Sequence, residues 1–477
     1  MSNAIVWFRR DLRLQDNPAL HHALALGHTV IPIYIYAPAE EAPWQPGSAS
    51  RWWLHHSLQS LDAALRAKQS RLLVFKGNSL ETLKNLIQTT QATAVYWNRL
   101  YEPTIMARDQ TIQATLQALG ITVQNFNGAL LHEPWMIQNQ AGKPYQVFTR
   151  FWQKCQRLSF ESLPLTVPNT LKTPTNCPNS LNLEQLKLLP QINWAKGLAQ
   201  MWQPGEEGAW QRLHRWCNRE VLSHYAEQRD FPSLDGVSRL SPHLHFGELS
   251  PRQVLGAVEY ALHHLRCHVR GVEVYERQLF WREFAYHLLY HYPTTTEQPL
   301  HIEFTKLPWR HNYQELLTAW QQGQTGYPLV DAGMRELWTT GWMHNRVRMV
   351  VASFLTKNCG IPWQVGARWF WETLVDANLA NNTLGWQWVA GCGADAAPYY
   401  RIFNPVLQSL KFDPQGEYLQ RWLPELATLL PQYRHKPWKA NPLPDYPAPI
   451  IDYEQSRQEA LGAYQSMKKW KDKSFLK

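Results

Sequence analysis

Short strand-like runs alternate with helix-like stretches over the first 130 residues, and this alternation limits the fold more than any other feature of the sequence. The strand-like runs are rich in β-branched and aromatic residues, and they lie at residues 5–8, 29–36, 71–75, 94–98 and 121–127. Helical patterns separate the later runs, near residues 50–68, 79–90 and 104–119. Strands that alternate with helices predict a Rossmann-like α/β domain over residues 1–130, with a parallel sheet and right-handed crossovers.

The pattern changes after this region. Residues 131–202 carry seven prolines with Asn, Thr and Ser between them, which predicts a long connector between two domains. From residue 203 to residue 477, apolar residues recur at helical spacing, so we expect an all-α second domain. Only the Lys-rich end after residue 465 looks unstructured.

Composition excludes several classes of protein. The six cysteines are scattered without a CxxC pair, which argues against a zinc site or a disulfide framework and suits a reducing compartment. No segment has signal-peptide order or membrane-spanning length, so we expect a cytoplasmic protein without a membrane or metal partner. The net charge of +9 permits attraction to a polyanion such as DNA without proving it. The high aromatic content fits either large cores or stacking surfaces.

The most unusual run is DANLANNTLGWQWVAGCGADAAPYYRIFNP, residues 376–405. If its first part is helical, Asn378 and Asn382 lie one turn apart on one face, where a core helix would place Leu or Val. Carboxamides there suit a polar, planar heterocycle. Trp386 and Trp388 cannot share a helix face, so one of them can look into a cavity. The Tyr399-Tyr400-Arg401 segment is of an exposed type.

Three further runs combine polar and aromatic residues. In residues 223–254, the Ser238–Ser241 segment precedes Pro242, and amides at a helix start suit a phosphate, although such turns commonly just cap helices. His243 and His245 have no carboxylate or third histidine at ligand spacing, so capping or packing is expected. Residues 275–293 carry a mixed polar and aromatic stripe, which also fits a Trp that covers an apolar groove. Residues 326–355 form the third run. Hydrolytic motifs, GxGxxG and Walker loops do not occur.

Together these runs resemble the photolyase/cryptochrome family, in its bacterial cyclobutane pyrimidine dimer photolyase form, over nearly the whole chain. The resemblance implies a light-driven DNA repair lyase, with FAD in the helical domain, UV-damaged DNA as its partner and a monomeric state. It also implies an antenna chromophore, methenyltetrahydrofolate or a deazaflavin, in the N-terminal domain. Enterobacterial-type enzymes hold folate with an Asn-Glu pair after a Tyr-Glu dipeptide, but Thr104 and Ile105 stand at those positions here, so the identity of the antenna stays open.

The resemblance also implies roles for particular residues. Flavin contacts are expected from Tyr225, Val237, Ser238, Arg239, Leu240, Ser241, Arg348, Asp376, Ala377, Asn378 and Asn382. Val237 stands where the family usually has Thr, and Asn378 stands where Asp is common. Asn382 matches the position that faces flavin N5, where dimer photolyases keep Asn and many signalling cryptochromes do not. Arg9, Asp11 and Arg13 in the opening WFRRDLRLQ match residues that are mostly structural.

The lesion and DNA contacts expected from the resemblance are Gln278, Trp281, Arg282, Asn345, Arg346, Met349, Trp388 and Arg401. Trp281 and Trp388 are expected to stack on the damaged bases, and Arg229 is a further candidate for a phosphate contact. Trp386, Trp363 and Trp309 match a tryptophan relay that carries electrons to the flavin. Gln278 stands where dimer enzymes often have Glu and where (6-4) enzymes commonly have Gln. A (6-4) photolyase and a signalling cryptochrome are therefore the alternative functions.

Overall fold

The N-terminal part of the chain is built on a five-stranded parallel sheet. The computed structural model describes residues 2–158, 164–166, 169–171, 174, 177–396, 400–440 and 445–474. The strands are β1 (Asn3–Phe8), β2 (Thr29–Tyr36), β3 (Leu73–Lys76), β4 (Ala92–Asn98) and β5 (Thr122–Phe126), in the spatial order β3-β2-β1-β4-β5. Each neighbouring pair is parallel. The chain therefore winds outward from β1 in both directions, as the alternating pattern predicts.

Helices connect these strands. They are α1 (Pro18–Ala25), α2 (Ser48–Ala67), α3 (Ser79–Thr90) and α4 (Pro103–Ala118). The sequence pattern predicted the last three but not α1, because eight residues are too few to show a helical period. Alternate residues of β1 enter different cores: Val6 and Phe8 pack with α2 and the connector, and Ile5 and Trp7 pack on the other face. The central strand is thus covered on both faces, as a parallel sheet requires.

The predicted connector, residues 131–202, contains helices α5 (Phe148–Cys155) and α6 (Lys196–Met201), and some of its residues lie outside the described part of the chain. The Leu171 amide donates to the Lys68 carbonyl, and the Leu181 amide donates to the Val74 carbonyl, both at 2.9 Å. Phe148, by contrast, packs in a core of the helical part. The segment therefore contacts both parts of the molecule.

In the remainder of the chain, all the regular secondary structure that the structure describes is helical. The helices are α7 (Glu206–Trp216), α8 (Arg219–Ser223), α9 (Tyr225–Gln228), α10 (Ser241–His245), α11 (Pro251–His264), α12 (Val269–His291), α13 (Gln314–Gln322), α14 (Pro328–Thr340), α15 (Asn345–Ser353), α16 (Trp363–Thr373), α17 (Leu379–Ala390), α18 (Pro405–Phe412), α19 (Glu417–Trp422), α20 (Pro431–Arg434) and α21 (Tyr453–Ser474). The expectation of an unstructured end after residue 465 is wrong, since α21 continues through Ser474. Among the described residues, no helix combines the length and the apolarity needed to cross a bilayer.

Buried polar residues join the two parts. Leu12 donates its amide to the Phe246 carbonyl at 3.1 Å, and the Arg13 guanidinium donates to the Gly247 carbonyl at 2.8 Å. Within the N-terminal part, Arg9 pairs with Asp109, and Asp11 accepts a hydrogen bond from Asn98 at 2.6 Å. The side chains of Arg9, Asp11 and Arg13 are all buried, and their contacts are structural.

Glu248 is the most central of these interdomain groups. Its carboxylate is fully buried, accepts from the Trp53 indole at 2.9 Å and from the Gly205 amide at 2.7 Å, and lies 2.5 Å from His243 Nδ1. His243 is therefore held by a carboxylate that the sequence spacing did not reveal. No group of metal-ligating side chains occurs in the part of the chain that the structure describes.

Candidate functional site

The start of helix α17 is fixed by Asn378. Its Oδ1 accepts from the Asn381 amide at 3.1 Å, which caps the helix, and its Nδ2 donates to the Tyr286 hydroxyl on α12 at 2.6 Å. Nδ2 also lies 3.4 Å from His245 Nδ1. Because both ends of the carboxamide already have protein partners, Asn378 anchors α17 against α12. From the sequence we expected this side chain to contact a ligand. Asn is also a preferred N-cap residue, so the sequence contained the signal for a capping role as well.

Asn382 lies one turn further along α17 and is bonded at only one end. Its Nδ2 donates to the Ala367 carbonyl at 3.0 Å, which orients the carboxamide on helix α16. No described residue donates a hydrogen bond to its Oδ1, and the side chain is half-buried. Asn382 therefore offers an oriented acceptor to a ligand that carries an N–H group.

An ion pair lies beside this helix. Arg348 on α15 contacts the Asp376 carboxylate at 2.9 Å and donates through Nε to the Met343 carbonyl at 2.7 Å. The Ser241 hydroxyl donates to the same carboxylate at 2.6 Å. The Asp376 side chain is only 4% exposed, so this is not a surface pair. A buried, multiply bonded pair adds little net stability, but it holds charge and geometry in place.

The turn before α10 carries positive charge and unused donors. Arg239 adopts a left-handed φ of 53°, and its guanidinium lies 5.2 Å from the Trp342 ring. Its Nε is buried and has no hydrogen-bond partner among the described residues. The α10 helix then begins with Ser241 and Pro242, so the amides of the turn are not consumed by a preceding helix. An anionic group fits this set of donors.

His344 lies close to the same positive charges. It is 2% exposed, and burial, together with the charges of Arg239, Arg346 and Arg348, lowers the pKa of His344 to about 3. Its Nε2 also has no hydrogen-bond partner among the described residues. Arg346 and Arg348 already pair with carboxylates. The buried nitrogens of Arg239 and His344, which have no partners among the described residues, are costly unless a ligand bonds them. These residues therefore fit a phosphate-bearing ligand.

Trp281 is supported on one face by an aromatic residue of the connector. Phe148 stacks on it with ring centroids 3.8 Å apart and planes 8° apart. Phe148 is buried at 1%, whereas Trp281 is half-buried. The stack holds the indole in one orientation, which suits a platform for a flat ligand on its other face.

Trp388 is tied to the same region through Asp395. Its indole N–H donates to the Asp395 carbonyl at 3.0 Å, and Asp395 has a left-handed φ of 53°. Burial raises the pKa of the Asp395 carboxyl, while a hydrogen bond from the Phe148 amide lowers it. Asp395 thus joins Trp388 to the residue that backs Trp281.

The other expected substrate contacts divide into exposed and enclosed side chains. Asn345 and Arg401 are exposed, and Met349 is half-buried. Arg346 is half-buried and pairs with Asp230 at 2.8 Å. Gln278 accepts from Arg229 at 3.2 Å, which orients its carboxamide.

Two residues, one an expected substrate contact and one from the segment expected to be exposed, are more enclosed than the sequence indicated. Arg282 is only 9% exposed and donates to the Ala129 carbonyl at 2.8 Å, so it bridges α12 to the N-terminal part. Tyr400 is 8% exposed, so the expectation of an exposed segment is wrong there, and Tyr399 lies outside the described residues.

The remaining expected cofactor residues line the same region. Tyr225 is buried and packs edge-on against Trp216, with ring centroids 5.1 Å apart. Leu240 and Ala377 are buried, and Val237 and Ser238 are half-buried. The Ser238 hydroxyl accepts from the Leu240 amide at 3.4 Å, which tightens the turn before α10.

The three tryptophans expected to form an electron relay lie in or against one hydrophobic core. Trp386 and Trp363 are both 2% exposed, and Trp309 is half-buried against the same core. Trp386 contacts Phe370 at 5.0 Å and Trp320 at 6.4 Å between ring centroids. It packs directly on the α16 backbone, because a Cβ placed on Gly366 would lie 2.1 Å from its Cη2.

Sequence reasoning missed three residues of the site: Phe148, Tyr286 and Asp395. Phe148 lies in the proline-rich stretch, where the expected absence of structure hid it. Tyr286 resembles any buried aromatic residue of an amphipathic helix. Asp395 sits among glycines and alanines, and only its left-handed backbone sets it apart.

This architecture, a parallel α/β part docked on a helical part, is that of the photolyases and cryptochromes. Residues 4–170 match the DNA photolyase family model, and residues 275–466 match the model described as FAD binding domain of DNA photolyase. The chain belongs to the photolyase/cryptochrome family, which confirms the resemblance found in the sequence.

Within the family, one similar protein is the deoxyribodipyrimidine photo-lyase of Agrobacterium fabrum, with 44% identity over 98% of each chain. Cryptochrome-2 of Arabidopsis thaliana is 39% identical over 95% of this chain and 77% of its own length. Among solved structures, the class III photolyase of Agrobacterium tumefaciens superposes with a TM-score of 0.94, at 44% identity over 98% of each chain. The Synechocystis sp. PCC6803 cryptochrome gives 0.89, at 31% identity over 97% of this chain and 99% of its own.

Proposed function

We propose that this protein is a deoxyribodipyrimidine photo-lyase that uses blue light to repair cyclobutane pyrimidine dimers in DNA. The full-length similarity to a photolyase supports this function. The observation that carries this proposal is the geometry of Asn382 on α17, the helix that begins just after Asp376 of the Arg348–Asp376 pair. The Oδ1 of Asn382 is oriented and accepts no hydrogen bond from the described residues. An acceptor there favours a repair enzyme over a signalling relative, given the family pattern at that position.

The cofactor we propose is FAD. Arg239, Ser238 and the amides of the turn before α10 would hold its phosphates, because these donors lie beside His344, whose pKa is lowered first by burial and then by the neighbouring arginines. Arg348, Asp376 and Asn382 would hold the ring system. When bound in its reduced form and excited by blue light, FAD supplies the electron that splits the cyclobutane ring and then recovers it.

The protein's own side chains position the DNA. Trp281 and Trp388 provide two aromatic walls for the damaged bases, and stacking on such walls contributes roughly 1–3 kcal/mol per base. Arg346, Arg401 and Arg229 would contact phosphates, which fix register without reading sequence. A dimer is already poorly stacked, so extruding it from the duplex costs less than extruding an intact base pair.

Three further proposals, on an electron relay, on the antenna domain and on the oligomeric state, rest on the sequence. Trp386, Trp363 and Trp309 would pass electrons to the oxidised cofactor, since they lie in or against one hydrophobic core. The N-terminal domain (residues 1–130) would hold methenyltetrahydrofolate or a deazaflavin, and the connector (131–202) would join it to the helical domain (203–477). The enterobacterial mode of folate binding does not fit, because Ile105 is buried within α4. The protein would act as a monomer on DNA inside the cell.

The deciding experiment is to illuminate the reduced, FAD-loaded protein with oligonucleotides that carry either a cyclobutane dimer or a (6-4) photoproduct. Restored thymines are then counted by chromatography. We expect restoration from the dimer only, and only in the light. Repair of the (6-4) product alone would assign the alternative lesion that Gln278 suggests. DNA binding with repair of neither lesion would favour a photoreceptor.

A further inference from the structure

An open groove runs between the segment that carries Arg401 and the C-terminal helix α21. The α21 wall is formed by residues that include Arg457, Leu461, Tyr464 and Lys468. Arg401, Arg457 and Lys468 are exposed. None of the described residues that line the groove is acidic. The groove therefore presents three cations along one surface.

A stack of four side chains fixes the two walls to each other. Lys357 Nζ lies 3.4 Å from the Tyr400 ring centroid, and Tyr400 stacks on Tyr464 with centroids 4.5 Å apart and planes 5° apart. Lys468 Nζ then lies 4.9 Å from the Tyr464 ring. Cation–π contacts of this kind orient both partners. The cations of the groove thus belong to a preformed surface.

The groove is also tied to the proposed lesion site. Lys357 Nζ donates to the Arg401 carbonyl at 3.2 Å, so the residue expected to contact DNA is held by the same stack. Arg401 itself lines the groove. A strand that contacts Arg401 would therefore lie in the same groove as Arg457 and Lys468. The Glu454 carboxylate is 3.9 Å from Arg457, which orients the guanidinium without filling the groove.

We propose that this groove binds the sugar–phosphate backbone of the DNA that flanks the lesion, with Arg457 and Lys468 as its phosphate contacts. The proposal rests on the proposed function, since it assumes DNA as the substrate. Exposed cations without a base-sized aromatic pocket neutralise phosphates and carry no sequence or lesion information. The groove should therefore raise affinity for damaged and undamaged DNA by the same factor.

The test compares the double variant R457Q/K468Q with a matched control, R71Q/K76Q. The control removes one exposed Arg and one exposed Lys at β3, which contributes nothing to the groove. Binding of the FAD-loaded proteins to dimer-containing and undamaged duplexes is measured between about 0.05 and 0.3 M salt. Each lost phosphate contact lowers the slope of log K against log salt by about 0.9, which corresponds to about eightfold in affinity near 0.1 M salt.

We expect R457Q/K468Q to lose about 1.8 units of slope and to weaken on both DNAs equally, with repair per bound complex unchanged. The charge-preserving variant R457K/K468R should bind like the wild type, and thermal unfolding should show that α21 stays folded in all variants. The proposal would be overturned if R457Q/K468Q showed the same salt dependence of DNA binding as R71Q/K76Q. It would also be overturned if R457Q/K468Q lost affinity only for damaged DNA. Failure of the proposed function is recognised separately, because the wild-type protein would then repair no dimer.

Discussion

Gly366→Ala is the most direct test of how Trp386 is held. A Cβ at this position would lie 2.1 Å from Trp386 Cη2, 2.5 Å from its Cζ3 and 2.6 Å from Leu355 Cδ2. Atoms do not approach so closely, so either the indole or helix α16 must move. Overpacking a core in this way costs about 1–3 kcal/mol. Replacing a helical Gly by Ala otherwise stabilises by roughly 0.5–1 kcal/mol, so the net loss should be up to about 2 kcal/mol.

The matched control is Gly385→Ala, one residue before Trp386 on α17. A Cβ there meets nothing within 4 Å, so we expect the gain of roughly 0.5–1 kcal/mol without a penalty. Stability is measured by denaturant unfolding, and the rate of photoreduction of oxidised FAD is measured under the same illumination. Gly366→Ala should lose stability and slow photoreduction, whereas Gly385→Ala should do neither. Equal stabilisation of both variants with unchanged photoreduction would refute the packing described for Trp386.

Three further predictions concern other parts of the site. Trp281→Ala should weaken binding to dimer-containing DNA by roughly 1–3 kcal/mol while FAD content survives, whereas loss of FAD on purification would show that the residue is structural. Trp386→Phe should slow photoreduction of oxidised FAD while repair by chemically reduced protein persists, and an unchanged photoreduction rate would remove Trp386 from the relay. Burial lowers the pKa of Lys357 from 10.5 to about 7, so between these values the unfolded chain binds a proton that the folded chain lacks, and the free energy of unfolding should gain from this group as pH rises. At about 1.4 kcal/mol per unit, the gain is at most about 5 kcal/mol, and pH-dependent unfolding of Lys357→Met should lack it; parallel profiles for the two proteins would contradict the burial.

The sheet could be predicted because parallel βα units leave a strong local pattern in the sequence. The ends of the predicted strands differ from those of the observed strands by at most two residues. The sequence also singled out Asn382 and the two tryptophans, since carboxamides and indoles on a helix are chemically conspicuous. What it could not predict were contacts between distant segments. Phe148 reaches Trp281 across more than a hundred residues, and no local period records that approach.

Arg282 shows a limit of another kind. Its spacing along α12 places it on the same stripe as Gln278 and Trp281, and the family resemblance implies a contact with substrate, which stays a prediction. The structure directs its guanidinium toward the Ala129 carbonyl. A helical stripe gives direction only within the helix, and which neighbour covers that direction is decided by tertiary packing.

Glu248 links the two parts of the molecule through hydrogen bonds to residues of both. Its carboxylate bonds the Trp53 indole of the sheet-bearing part, the Gly205 amide just before α7 and the His243 imidazole of α10. Loss of the Trp53 hydrogen bond inside this buried interface would cost roughly 1–3 kcal/mol. The sheet-bearing part is thus not a detachable accessory, because a truncated version would lack the Trp53 and Arg13 partners of the hydrogen bonds that join it to the helical part.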